Sequence, residues 1–315
     1  MKHLATFLLL SFLSATLSLA AESRTWTSTD GKTMEAELVS STDTEVTIRR
    51  SSDGRRFTFP LDRLSQTDRD WVSAQSGDVD SQHPLPKEIA VLVAERGKVL
   101  FEDDFNREDS DTEDDLGEPW NTNSKSRAQG EKQNDLVNGE LVMTISPKAD
   151  HAISTNFTTT EPFNAAVTYV RMKLEDGESL KLAFNDKSYE PVHAGHINGV
   201  TITPDSIKLD DEREGRFGPK VYPFKSDPSK KDEIAAIIEA TSKSFPLDLK
   251  IGEWHDVVTL HDGETLTTYI NGEEVASFTS PGFAHPTKSM LAFAVPKRAV
   301  VDNLKLWSLT PPSDQ

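Results

Sequence analysis

Six of the eight histidines lie in the last two-thirds of the 315-residue chain: His151, His193, His196, His255, His261 and His285. His193-Ala194-Gly195-His196 has the spacing of a metal-ligand pair. On a strand, however, side chains alternate, so the two rings would face opposite ways unless a bulge at Gly195 brought them together. His196 and Asn198 would share a face, and both can hydrogen-bond a hydroxyl. A neutral imidazole there can also move a proton near neutral pH. His193, His196 and His151 are therefore the catalytic candidates.

A second group is Asn121, Asn123, Lys125 and Arg127. If the segment is extended, they line one face, and two amides with two cations suit an oxygen-rich or anionic ligand. The alternative is a solvated strand edge guarded by charge. Asn123, Lys125, Arg127, Asn198 and His285 are the ligand-binding candidates. A third group is acidic. If the first and last strands of the large module pair, Asp103 or Asp104 approaches Asp302 and Asn303, which are hard oxygen ligands of the kind calcium takes. Asp104 and Asp302 are thus candidates for a structural calcium site. Trp120 and Tyr189, near expected loops, could stack on a sugar face; Trp254 and Trp307 fit strand patterns and a core. No strand carries acids at alternate positions as E-x-D-x-E, which speaks against a two-carboxylate retaining glycosidase.

The elements that must hold these residues read as β-structure. From Ile251 to Leu309, short alternating apolar runs are broken by Asp262-Gly263 and Asn271-Gly272, the dipeptides of tight antiparallel hairpins. Further strands are expected at 139–146, 152–157, 165–174, 179–185, 192–203 and 206–209. Ile234, Ile237 and Ile238 recur at helical spacing, which predicts an amphipathic helix over 230–244 lying on the sandwich. Residues 23–75 read as a separate small barrel of short strands. Its last strand ends at Pro60, and Ser65-Gln66-Thr67-Asp68 forms a capping box for a short helix that packs Trp71 and Val72 inward. Residues 76–98 read as a linker, with 88–100 open between helix and strand, and 99–311 as the large module.

Residues 1–20 have the layout of a secretory signal peptide: a basic start, an apolar stretch from Leu4 to Leu19, and small residues at Ser18 and Ala20. The expectation is an exported, periplasmic or extracellular protein with no membrane span after cleavage. There is no cysteine, so disulfides and thiolate chemistry are excluded. A net charge of −18 disfavours nucleic acid and anionic membranes as partners.

Two resemblances add to this. W-T-S-T-D-G-K-T-M-E-A-E-L-V with F-T-F-P-L-D-R-L-S-Q-T-D-R-D-W-V resembles the SLA-one homology domain, which implies an SH3-like barrel that contacts a peptide or protein. F-E-D-D-F-N-R, V-H-A-G-H, G-E-W-H, I-N-G-E-E-V, P-G-F-A-H-P-T-K and V-D-N-L-K-L-W resemble the 3-keto-disaccharide hydrolase family. That implies a concanavalin-like jelly roll that hydrolyses or binds a saccharide. The expected fold is all-β, an SH3-like barrel followed by a jelly-roll β-sandwich with one helical insertion. The expected partner is a carbohydrate; a non-catalytic carbohydrate-binding or cell-envelope protein is the alternative.

Overall fold

A computed structural model describes residues 23–41, 45–75, 84–108, 112–175 and 178–311. The signal-peptide segment, the first part of the expected linker (76–83) and part of the acidic run after Glu108 lie outside them. The chain divides into two compact units, with the boundary after Val72.

The first unit is the SH3-like barrel. Strands Arg24–Thr27, Thr33–Ser41, Glu45–Arg50 and Arg56–Pro60 pair in chain order, antiparallel throughout. Their inward residues Trp26, Ala36, Val46 and Ile48 form a small core with Leu64 and Val72. Trp71 meets Trp26 edge-on at 5.5 Å. The capping box forms, and it reaches further than a cap. Buried Asp68 accepts from Ser65 Oγ (2.8 Å), Thr27 N (2.8 Å) and Arg24 Nη2 (2.7 Å), so one carboxylate ties the helix to the first strand. Asp68→Ala leaves a guanidinium and a backbone N–H without their acceptor. It should cost about 3 kcal/mol. Amide exchange at Thr27 and Val46 in the full chain should accelerate accordingly, and unchanged exchange would refute the assignment.

The second unit is a jelly-roll sandwich of two antiparallel sheets. The first has Glu273–Thr279, Thr265–Ile270, His255–Asp262, Ala166–Leu174, Arg298–Leu309, Glu140–Thr144 and Asn134–Val137 in that order, with Gly97–Asp103 also pairing with Arg298–Leu309. The second has Ser242–Pro246, Ser206–Asp211, His196–Ile202, Leu180–Asn185, Lys288–Val295, Ile153–Phe163 and Trp120–Thr122. Alternate residues of both sheets, among them Leu180, Leu182, Phe184, Leu291, Phe293, Val170 and Met172, fill the space between them. The segment open between helix and strand contains both. Helix Lys87–Arg96 lays Ile89, Leu92 and Val93 on Val167, Tyr169, Val258 and Trp307, so that part of the first sheet's outer face is covered.

Three local expectations are corrected. Residues 124–127 form a helical turn, not a strand, so Asn123, Lys125 and Arg127 do not line one face. The insertion helix is shorter than expected, Lys231–Ala240, with no buried residue; the chain re-enters the second sheet at Ser242. Trp120 is core rather than a sugar platform, with its Nε1 donating to Asp103 Oδ2 at 2.6 Å.

Candidate functional site

The outer face of the second sheet collects the polar groups. Register alignment places Asn121, Asn156, Ala292, Ala183, Gly199 and Asp210 in one row across six strands. At strand spacing this row spans roughly 24 Å. Its middle is three small residues, Ala292, Ala183 and Gly199, which keep the floor low. The neighbouring row carries Ser154, Ala294, Lys181, Thr201 and Lys208; the other carries Thr158, Met290, Asn185 and His196.

Glu212, one residue past the end of strand Ser206–Asp211, is the centre of charge. It is buried, and its Oε1 accepts from Lys181 Nζ at 2.6 Å. Lys181 reaches it by crossing Gly199: a Cβ there would lie 2.3 Å from Lys181 Cε. His196 Nδ1 faces Glu212 Oε2 at 3.6 Å, within ion-pair range but too long for a hydrogen bond. Burial pushes the Glu212 carboxyl up, but His196 and Lys181 together hold it down to about 2. It is a fixed anion across the working range of pH.

The His193–His196 pair departs from strand alternation. Residues His193–Gly195 form a 3-10 turn in which Ala194 and Gly195 take left-handed angles (φ 53° and 73°). The turn brings the two rings to 6.4 Å, and two aromatics from the insertion complete a wall. Phe217 stacks on His196 at 4.2 Å, and Tyr222 stacks on His193 at 3.9 Å, with its hydroxyl 3.0 Å from Nε2. Burial, with His196 and Lys225 adding repulsion, lowers the His193 pKa below the usual imidazole value.

Asn198 does not share His196's face. A bulge leaves Ile197 without a cross-strand partner, so Asn185 opposes His196 while Asn198 opposes Phe184 and turns into the core. There its Oδ1 meets His261 Nε2 at 3.0 Å. His285 lies in a buried cluster beside the turn: its Nε2 donates to Asp186 Oδ2 at 2.9 Å, and Asp186 also accepts from Thr287 Oγ1 and Ser188 Oγ. Burial raises the Asp186 carboxyl, but these donors hold it to about 2. Tyr189 meets His285 edge-on.

The other candidates are dispersed. Asn123 bonds Ala152 O and Ser154 N and so joins backbone to backbone. His151 is exposed with Nδ1 near Ala152 O, Arg127 pairs with Asp150 at 3.3 Å, and Lys125 is exposed. Asp104 accepts from Asn106 N, and Asp302 from Asn303 N. No three His, Asp or Glu side chains are grouped to hold a metal ion among the described residues.

Four polar atoms at the site are buried without a hydrogen-bond partner: Asn156 Oδ1, Asn185 Oδ1, Glu212 Oε2 and His196 Nδ1. Sequence reasoning nominated only the last of these residues. The visible signal for Asn185 was the alternation Lys181-x-Ala183-x-Asn185, polar and small on one face of an otherwise apolar strand.

No family model and no curated relative matches the chain. Similar solved structures include an endo-beta-1,3-glucanase from Pyrococcus furiosus, at 16% identity, covering 68% of this chain and 95% of that one with a TM-score of 0.43. A non-specific endo-beta-1,3(4)-glucanase from family GH16 is similar at 12% identity, covering 68% and 92%, with a TM-score of 0.45. The carbohydrate binding module CBM66 from Bacillus subtilis is similar at 10% identity, covering 64% and 100%, with a TM-score of 0.38.

Proposed function

We propose that this chain is an exported glycan-processing protein that holds a saccharide on the outer face of the second sheet and processes it at the Glu212–His196 corner. One observation carries the reading. Asn156 Oδ1, Asn185 Oδ1 and Glu212 Oε2 are buried acceptors without donors, set around a floor of Ala292, Ala183 and Gly199. An orphaned buried acceptor is costly, and sugar hydroxyls are donors of the right kind to satisfy it. The aromatic wall of Phe217 and Tyr222 adds apolar surface beside them.

Glu212 is ionised and cannot donate a proton, and Asp210 is engaged by Lys208 at 2.6 Å. Asp211 has a pKa raised by burial above the usual carboxylate value, but it turns inward to Ser280 Oγ and Gly282 N. Two-carboxylate hydrolysis therefore lacks its acid on this face. Proton transfer falls to His196, with Glu212 stabilising the imidazolium. Hydrolysis of an oxidised or ordinary glycan fits this arrangement. The second reading, a binder without chemistry, is favoured by the neutralisation of Glu212 by Lys181. The barrel's recess of about 560 Å³, lined by Trp26, Met34, Ile48 and Phe59 with Lys32 and Arg63, suits a peptide or protein contact.

A glycan array run beside an activity screen on 3-keto and unmodified disaccharides tests the proposal. Asn156→Ala and Asn185→Ala should each weaken binding about tenfold. His196→Ala should retain binding and lose turnover. Binding with no turnover on any substrate selects the non-catalytic reading, and silence in both assays removes the saccharide altogether.

A further inference from the structure

Net charge and local charge disagree at the site. The chain has 52 acidic against 34 basic side chains, yet residues 213–225 carry four basic side chains and one acidic. The acids near the site are already matched: Glu212 by Lys181, Asp210 by Lys208, Glu214 by Arg213. Arg216 and Lys225 are exposed and have no carboxylate partner among the described residues. Both sit on the aromatic wall: the Arg216 guanidinium lies 5.1 Å from the Phe217 ring centre, and Lys225 Nζ lies 3.9 Å from that of Tyr222. The two rings are 6.0 Å apart, so the two cations belong to one rim. A rim of unmatched positive charge beside a neutralised floor favours an anion, and the acidic remainder of the surface repels one elsewhere.

We infer that the saccharide taken by this face is anionic, with a sulfate or carboxylate group seated against Arg216 and Lys225 while its hydroxyls donate to the orphaned acceptors of the sheet. The inference rests on the proposed function above and adds the substrate class to it. Guanidinium and ammonium groups recognise both anions by charge-assisted hydrogen bonds, and Arg216 can do so in a bidentate fashion. The rings hold the two side chains over the site, which lowers the entropy lost on capture.

Calorimetry on the full chain tests this with matched probes: chondroitin sulfate oligosaccharides against their desulfated counterparts, and oligogalacturonates against their methyl esters. At low salt at least one charged probe should bind about tenfold more tightly than its uncharged partner, and the margin should shrink as salt rises. The sulfate and carboxylate arms show which anion is preferred. The double variant Arg216→Gln, Lys225→Gln should erase the margin while leaving the melting temperature unchanged, because both side chains are exposed. Equal binding of charged and uncharged probes overturns the inference and leaves the saccharide reading standing. If no probe binds and the neutral glycan array is also silent, the saccharide reading fails, and this inference fails with it.

Discussion

Gly195→Ala is expected to lower the melting temperature of the sandwich by about 6–12 °C and to abolish saccharide capture. The added methyl has nowhere to go. At φ 73° an ideal Cβ would lie 2.3 Å from Asp186 O and 2.8 Å from Lys187 Cα, both backbone atoms. Asp186 N also donates to Gly195 O at 2.8 Å, so the two segments cannot separate without losing a bond. Left-handed strain and a backbone clash together should cost about 3 kcal/mol. The loss in function should exceed the loss in stability, because this turn alone brings His193 to His196 and sets both against Tyr222 and Phe217. Gly263→Ala is the comparison. It too has positive φ (57°), but a Cβ there meets nothing within 4 Å. It should cost about 1 kcal/mol and leave binding intact. Calorimetric melting of the two variants decides the matter: equal damage would mean that left-handed strain, not the approach to Asp186, is what the glycine relieves.

The architecture was legible because sandwich strands announce themselves twice, by alternation and by their turns. The runs at 165–174 and 179–185 match strands Ala166–Leu174 and Leu180–Asn185 to within a residue, and Asp262-Gly263 and Asn271-Gly272 both close hairpins. What escaped notice was short or polar. Trp120–Thr122 has three residues, and Ser242–Pro246 holds one large apolar side chain, so neither shows a period. The site was less legible for a different reason. Strict alternation assigns every residue of a strand to a face, and the chain breaks alternation where the site is built. A bulge at Ile197 sends Asn198 inward, and left-handed residues at 194 and 195 bring together two histidines that a strand would separate. Glu212 gains its role only because Lys181, 31 residues earlier, crosses a glycine to reach it. Nothing local to Glu212 encodes that contact.

Lys288→Met is expected to be more stable than the parent chain near pH 7 and less stable near pH 10, with the two curves crossing between. Lys288 is fully buried and has no ion-pair partner among the described residues; its Nζ donates to Phe283 O and His285 O, each at 2.8 Å, and so fixes the 3-10 turn Pro281–Ala284 beside the site. Burial, aided by Arg213, lowers its pKa from 10.5 to about 7. Between those values the unfolded chain binds a proton that the folded chain does not, so stability must rise with pH across that window. The gain is roughly 4–5 kcal/mol. Methionine keeps the apolar stem and removes the titration, but it leaves two carbonyls without a donor, at about 2–3 kcal/mol. Near pH 7 the cost of the buried ammonium exceeds that loss, and near pH 10 only the loss remains. The titratable neighbours do not blur the comparison. His261 and His285 both have lowered pKa values and stay neutral in the fold across this range. Urea unfolding of both chains at pH 7, 8.5 and 10 reads the crossing. A constant difference in stability would show that Lys288 does not titrate in the fold, and that its ammonium is stabilised by the two carbonyls it caps.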